Sequence, residues 1–229
     1  MTLVIAKNIN LIFPIYNSAK SLRNKILKSK KSENISYIHA LKNINLQIDK
    51  GDRIGLIGKN GSGKTTLLKI LAQIYFPSNG FLEISEKPFS ILDPNMGLNM
   101  DATGVENIKM ISHLFNLEQL ASSDSIRKIK DFSELGKFID LPVRTYSSGM
   151  KVRLTTSISV QINPKFLIID EFFGAGDKNF IEKARLALNE KFTNLDGLVF
   201  ASHQDSLIKS ICNRIITLDK GEIISDKTI

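Results

Sequence analysis

The sequence predicts an α/β protein: short parallel-type strands, a phosphate-binding turn and a helical insertion. Three observations carry this. Apolar runs of strand length recur along the 229 residues, at Arg53–Ile57, Phe166–Ile169, Leu198–Ala201 and Arg214–Leu218. A glycine-rich turn, Gly58–Gly63, joins the first of these to a helix-like stretch, Lys64–Ala72. Between Gly104 and Asp140 the apolar spacing turns helical, with Val105, Ile108, Ile111, Leu114 and Phe115 set for one face.

The remaining elements follow in order. Leu41–Ile48 alternates apolar and polar residues as a half-buried strand does, and Phe81–Ile84 reads as another short strand. Asp219-Lys220-Gly221 followed by Glu222–Ser225 marks a hairpin near the C-terminus. The segment Asn17–Ser36 is rich in Ser and Asn and joins two strand-like stretches.

Composition narrows the class. With 42% hydrophobic and 24% charged residues the chain is ordinary for a globular domain, so whole-chain disorder is excluded. No apolar run approaches the ~18 residues of a membrane helix, and the N-terminus shows no secretory signal. The single cysteine, Cys212, excludes an intramolecular disulfide and reads as a core residue. Thirty-one Lys and Arg against 23 Asp and Glu give a net charge of +8, which suits a polyanionic partner. Six of those cations (Lys20, Arg23, Lys25, Lys28, Lys30, Lys31) fall in one window without an acidic residue. That window reads either as a solvated insertion or as a patch meeting anionic lipid headgroups or an acidic partner. Nucleic acid is not expected there, because no aromatic residues interleave as stacking platforms.

The segment Gly58-Lys59-Asn60-Gly61-Ser62-Gly63-Lys64-Thr65 fits G-x-x-x-x-G-K-[ST] without a gap, and Thr66 continues it into the helix. Glycines let successive backbone N–H groups converge on phosphate oxygens, and the following helix turns its positive end to the same anion. Lys64 supplies a point charge for the β- and γ-phosphates of ATP, and the Thr65 hydroxyl is a ligand for Mg2+. A chance match in a chain of this length has odds on the order of one in a hundred. Downstream, Phe166–Ile169 runs into Asp170-Glu171. Ligands bind at that end of parallel strands, so Asp170 is placed to hold magnesium and Glu171 to orient or deprotonate the attacking water.

Tyr146-Ser147-Ser148-Gly149-Met150, lying between the phosphate turn and Asp170, resembles the signature motif of ABC-transporter ATPases. The order of motifs agrees: phosphate turn, helical insertion, signature, strand with Asp-Glu. Asp177 then stands where that family has its D-loop, and His203 where it has its switch histidine. The resemblance covers nearly the whole chain. It implies a P-loop NTPase of the ABC cassette type, with a mixed central sheet, an N-terminal antiparallel β portion and a helical subdomain over about 98–140. It also implies that Ser147, Ser148 and Gly149 of one copy face the ATP held by a second copy, and that His203 senses its γ-phosphate. An N-terminal aromatic usually stacks on adenine in this family; Phe13, Tyr16 and Tyr37 are candidates, with Tyr16 favoured. His39 and His113 match no motif and read as structural. Asn99 stands in the place of the usual glutamine ligand to magnesium, one methylene shorter.

The YSSGM form, with Phe13–Leu22 and Thr103–Ile108, is similar to exporters of bacterial surface polysaccharide: O-antigen, capsule or teichoic acid. That resemblance implies an ATPase at the cytoplasmic face of the inner membrane, paired with two copies of a membrane-spanning permease that carries a lipid-linked polysaccharide. Longer members add a C-terminal carbohydrate-binding domain, which a chain ending at Ile229 is expected to lack. An ABC ATPase for a lipid or drug is the alternative within transport. A soluble nucleic-acid or ribosome-associated ABC ATPase is the alternative outside it, although those carry tandem cassettes or a long coiled-coil insertion.

Overall fold

The computed structural model describes residues 1–16, 35–93, 97–170, 178–192, 194–202 and 205–229. The basic window at Lys20–Lys31, Glu171, Asp177 and His203 lie outside them, as does the side chain of Tyr16. In chain order the elements begin with β1 (Thr2–Tyr16), β2 (Ile35–Asp49), β3 (Arg53–Ile57), α1 (Lys64–Leu71), β4 (Asn79–Ile84) and β5 (Phe89–Ile91). Then come α2 (Gly104–Leu114), α3 (Ser123–Ser133), α4 (Ser148–Gln161), β6 (Phe166–Asp170) and α5 (Lys178–Phe192). The last are β7 (Gly197–Ala201), α6 (Asp205–Ile211), β8 (Arg214–Asp219) and β9 (Glu222–Thr228).

These strands form two sheets. An antiparallel sheet has the order β2-β1-β4, and a larger mixed sheet has the order β5-β6-β7-β3-β8-β9, parallel except for the β8–β9 hairpin. The inner strands are apolar on both faces because both faces are covered. Along β6, Phe166 and Ile168 join a core shared with α1 and the antiparallel sheet. Leu167 and Ile169 join a second core made with the helices on the opposite face. Strand β7 divides the same way, with Val199 and Ala201 in the first core and Leu198 and Phe200 in the second. The sheet thus sets the C-terminal ends of β3, β6 and β7 side by side.

The helical stretch differs from its predicted form in two respects. It is broken into α2 and α3 with short 3-10 turns at Glu118–Ala121, Gly136–Asp140 and Val143–Thr145. The predicted apolar face also holds only in part. Ile108 and Ile111 are fully buried, but Leu114 is 69% exposed and Phe115 42%. Leu114, the last residue of α2, lies off the face that Ile108 and Ile111 share, and Phe115, which follows the helix, meets Phe89 edge-to-face at 5.1 Å. Their place is taken by polar residues whose bonds are met internally: buried Asn107 donates to the carbonyls of Asn99 and Thr103, and buried Ser112 to that of Leu117. Thr103 and Glu106 form a reciprocal capping box at the start of α2. Strand β5, three residues long, was not legible in the sequence. Among the described residues no helix is long and apolar enough to cross a membrane.

Candidate active site

Strand β3 delivers the chain into the turn Gly58–Gly63, and α1 starts at Lys64. Gly63, the residue capping α1, has φ 109°, and a Cβ there would meet the Ala40 carbonyl at 3.1 Å. Only glycine fits that left-handed, crowded position. The turn is braced from outside: the Gly221 amide of the β8–β9 hairpin donates to the Ser62 carbonyl (2.8 Å), and the Lys42 amide to the Gly221 carbonyl (2.8 Å). No side chain caps α1 and no acidic residue stands in its first turn, so its leading amides are left to an anion.

Lys64 is 7% exposed and its ammonium lies inside the turn, donating to the carbonyls of Gly58 (2.7 Å) and Lys59 (3.3 Å). Next to it the Thr65 hydroxyl donates to Asp170 Oδ2 across 2.6 Å. Residues 105 positions apart in the chain are thereby brought together at the ends of neighbouring elements. Their chemistry fits a small hard dication, which takes one or two protein oxygens and completes its octahedron with phosphate and water.

A cavity of about 570 Å³ opens on these groups, lined by Asn60, Gly61, Gly63, Lys64, Thr65, Thr66 and Asp170. Its volume is in the range of small-ligand sites. Ile38, His39, Ala40, Lys42 and Lys220 complete the lining. Of the aromatic candidates, Phe13 is engaged edge-to-face with Tyr75 (5.6 Å between centroids), and Tyr37 is 63% exposed and paired in register with Pro14. His39, set aside on sequence grounds, instead lines the cavity. A bulge brings it there: Leu11 pairs with Leu41 but Ile12 with His39, leaving Ala40 as the extra residue.

The signature residues stand apart from this cavity. Ser147 caps α4, its hydroxyl accepting from the Met150 amide at 3.2 Å. The preceding Tyr146 is buried and donates to the Phe138 carbonyl (2.6 Å), and burial pushes its phenol above the usual value. Gly104, at the start of α2, lies against the same hydroxyl, where a Cβ would come within 2.8 Å. Gly149 is different. Among the described residues a Cβ at this position would meet nothing closer than Ser147 Oγ at 3.9 Å, so none of them requires a glycine there.

Asn99 is exposed, and its side-chain carbonyl accepts from the Asp101 amide at 3.0 Å. It is not among the residues lining the cavity. Its backbone is held by Asn107, and the neighbouring carbonyls of Met100 and Ala102 accept from the amides of Arg144 and Val143. The segment is therefore tied to the approach of the signature rather than to Thr65 and Asp170.

Residues 41–174 match the ABC transporter family. The chain is 39% identical to the O-antigen export system ATP-binding protein RfbE of Yersinia enterocolitica, over 99% of this chain and 98% of that protein. It is 37% identical to the O-antigen export system ATP-binding protein RfbB of Myxococcus xanthus, over 91% of this chain and 48% of that one. It is 36% identical to the teichoic acids export ATP-binding protein TagH of Bacillus anthracis, over 92% and 38%. It thus spans less than half the length of the latter two. Among solved structures, the dimeric post-hydrolysis state of the ATP-binding cassette MJ0796 bound to ADP and Pi superposes with a TM-score of 0.75 at 21% identity, covering 99% of this chain and 98% of that one.

Proposed function

The chain belongs to the ABC transporter family and is an ATPase of that family, and from this premise we propose that it powers export of a surface glycopolymer of the O-antigen or teichoic-acid kind. In this reading the cargo is a lipid-linked polysaccharide, O-antigen or capsule. It crosses the inner membrane through a permease present in two copies, with the ATPase at the cytoplasmic face. The near full-length likeness to an O-antigen export ATPase supports that cargo.

The observation that carries the chemistry is the pairing of Thr65 and Asp170 beside the Lys64 ammonium. Amides of Gly58–Gly63 and the start of α1 hold the β- and γ-phosphates, and Lys64 exchanges its two carbonyl partners for phosphate oxygens. Thr65 and Asp170 would hold Mg2+, which would supply positive charge against the phosphates. Asn99 is the third group assigned to the metal; its side-chain carbonyl, which accepts from the Asp101 amide, keeps a second lone pair for it. Glu171 accepts a proton from water as the water oxygen bonds to the γ-phosphorus, and the bond to the bridging oxygen breaks to release ADP. His203 holds the γ-phosphate. Ile38, His39 and Ala40 border the base, with Tyr16 the aromatic assigned to stack on it.

The second half of the site comes from a second copy, through Ser147, Ser148, Gly149 and Asp177. The absence of any contact tighter than 3.9 Å for a Cβ at Gly149 among the described residues supports this, because a glycine without an internal reason is accounted for by a backbone that approaches an outside group. Replacing Lys64 by Ala in a producing cell tests the export role. Polymer is expected to accumulate inside while the surface loses it, and unchanged surface polymer by antibody staining would contradict the role.

A further inference from the structure

The C-terminal hairpin brings a cation to the nucleotide cavity that no motif names. Strands β8 and β9 are joined by two residues, Lys220 and Gly221, with Asp219 and Glu222 paired across the turn. Lys220 has φ 46° and Gly221 φ 84°, so both central residues are left-handed, as a type I′ hairpin requires. The second position needs glycine, because a Cβ there would meet the Ala40 carbonyl at 2.6 Å. The first is relaxed with asparagine or aspartate, and lysine holds it against its own backbone preference.

What lysine adds is charge. Lys220 lines the cavity, is exposed, and has no ion-pair partner among the described residues. The lining residues include three lysines, Lys42, Lys64 and Lys220, and one carboxylate, Asp170. Lys64 is bound inside the phosphate turn, and Lys42 lies 3.8 Å from Glu222. Lys220 is therefore the cation of the three that is left to a ligand.

The sheet order decides which part of a nucleotide it meets. Strand β6, ending at Asp170, lies two strands from β3 on one side, and β8 borders β3 on the other. The hairpin turn packs on the start of α1 from that second side: a Cβ at Gly63 would meet Gly221 Cα at 3.4 Å. A triphosphate laid across the start of α1, with its γ-phosphate at Thr65 and Asp170, turns its α-phosphate toward the hairpin.

We propose that Lys220 binds the α-phosphate of the nucleotide, the phosphate that Lys64 and the metal pair do not serve. This rests on the placement of the nucleotide in this cavity. ATP and ADP both carry the α-phosphate, and its charge is not the one that changes at the γ-phosphorus. The contact therefore strengthens binding of both nucleotides to a similar degree and leaves the chemical step alone.

Lys220→Asn in the full chain tests the contact, because Asn-Gly is the favoured pair for this turn and the backbone is relieved rather than loosened. Its unfolding midpoint without nucleotide should match or exceed the parent's. Calorimetry at low salt should show affinity for ADP and for ATP falling alike, by about fivefold, with the gap narrowing as salt is raised. Lys227→Gln removes the same charge from β9 at a residue that does not line the cavity, and should bind both nucleotides as the parent does. Unchanged ADP affinity in Lys220→Asn would overturn the contact. So would an equal loss in Lys227→Gln, which marks the overall field, or a loss confined to ATP, which marks the γ-phosphate. A lowered unfolding midpoint would overturn it too, as the mark of a brace. A parent that binds no ADP, or a Lys64→Ala chain that binds it as tightly as the parent, overturns the placement of the nucleotide instead, and the contact with it.

Discussion

The Thr65 hydroxyl and the Asp170 carboxylate lie 2.6 Å apart although 105 residues separate them in the chain. The contact depends on the sheet order, which puts the end of β6 two strands from β3, and on α1, which carries Thr65 across the gap at its first turn. It joins the two protein oxygens expected to hold the metal before any nucleotide enters.

Asp170→Asn keeps the shape and an acceptor for Thr65 but removes the charge. Binding of ATP without magnesium should be nearly unchanged by calorimetry, while the magnesium concentration for half-maximal hydrolysis rises and turnover falls by about 10²-fold or more. Equal magnesium dependence in the two proteins would remove Asp170 from the metal site.

Gly149→Ala puts a methyl in ordinary van der Waals contact with Ser147 Oγ (3.9 Å), in the first turn of α4. Alanine is the better helix former, so thermal stability should hold or rise by up to about 1 kcal/mol. ATP turnover should nevertheless drop sharply, because in the proposed two-copy site the added methyl stands where the other copy's phosphate approaches. A loss of activity with an equal loss of stability would point to a packing role.

His39→Ala tests the wall that sequence motifs did not identify. In the proposed seat of the base beside His39, removing the imidazole takes away a contact, so KM for ATP should rise several-fold while kcat changes little. Tyr16→Ala run in parallel shows which of the two carries the stacking.

Arg214 ties three segments together. It donates to both oxygens of Asp226 (2.7 and 2.6 Å), to Asp52 (2.8 Å) and to the Gln47 carbonyl (2.9 Å), with its side chain 19% exposed. Arg214→Met leaves two carboxylates without their cation and should cost about 2–3 kcal/mol, less than the roughly 3–5 kcal/mol of a fully buried pair because both partners keep some contact with solvent. Chemical denaturation measures this, and nucleotide affinity should stay near the parent's.

Acid should weaken the fold at two named carboxylates. The Thr103 backbone and side-chain bonds hold Glu106 below its ordinary value of 4.5, and Lys183 followed by Arg153 does the same for Glu134. A depressed carboxylate stabilises the fold above its unfolded value and loses that contribution as pH falls through the folded one. The midpoint of thermal unfolding should therefore decline from about pH 4.5 downward, and less steeply in Glu106→Gln with Glu134→Gln. An unchanged slope in the double variant would assign the decline to other groups.

Most of the phosphate site was legible because its residues are contiguous and their spacing is itself the chemistry, as in Gly58–Thr65 and at the strand end before Asp170. What stayed hidden depends on distance or on register. His39 reaches the cavity through a bulge at Ala40 that no local pattern announces. Asn107, buried in a helix read as apolar-faced, depends on carbonyls that only the folded loop at 99–103 presents. The Glu134 contacts span 19 and 49 residues and follow no motif.

A mixing experiment tests most directly whether the site is built from two copies. In Glu171→Gln chains, Lys64→Ala and Gly149→Asp should each fail to retain ATP through gel filtration. Mixed together, they form a pair in which one site has both its Lys64 and its Gly149 intact, so a single ATP should be retained per pair of copies. No retention in the mixture, alongside retention by the unmixed Glu171→Gln parent, would mean that Lys64 and Gly149 serve the same copy's nucleotide and would contradict the account.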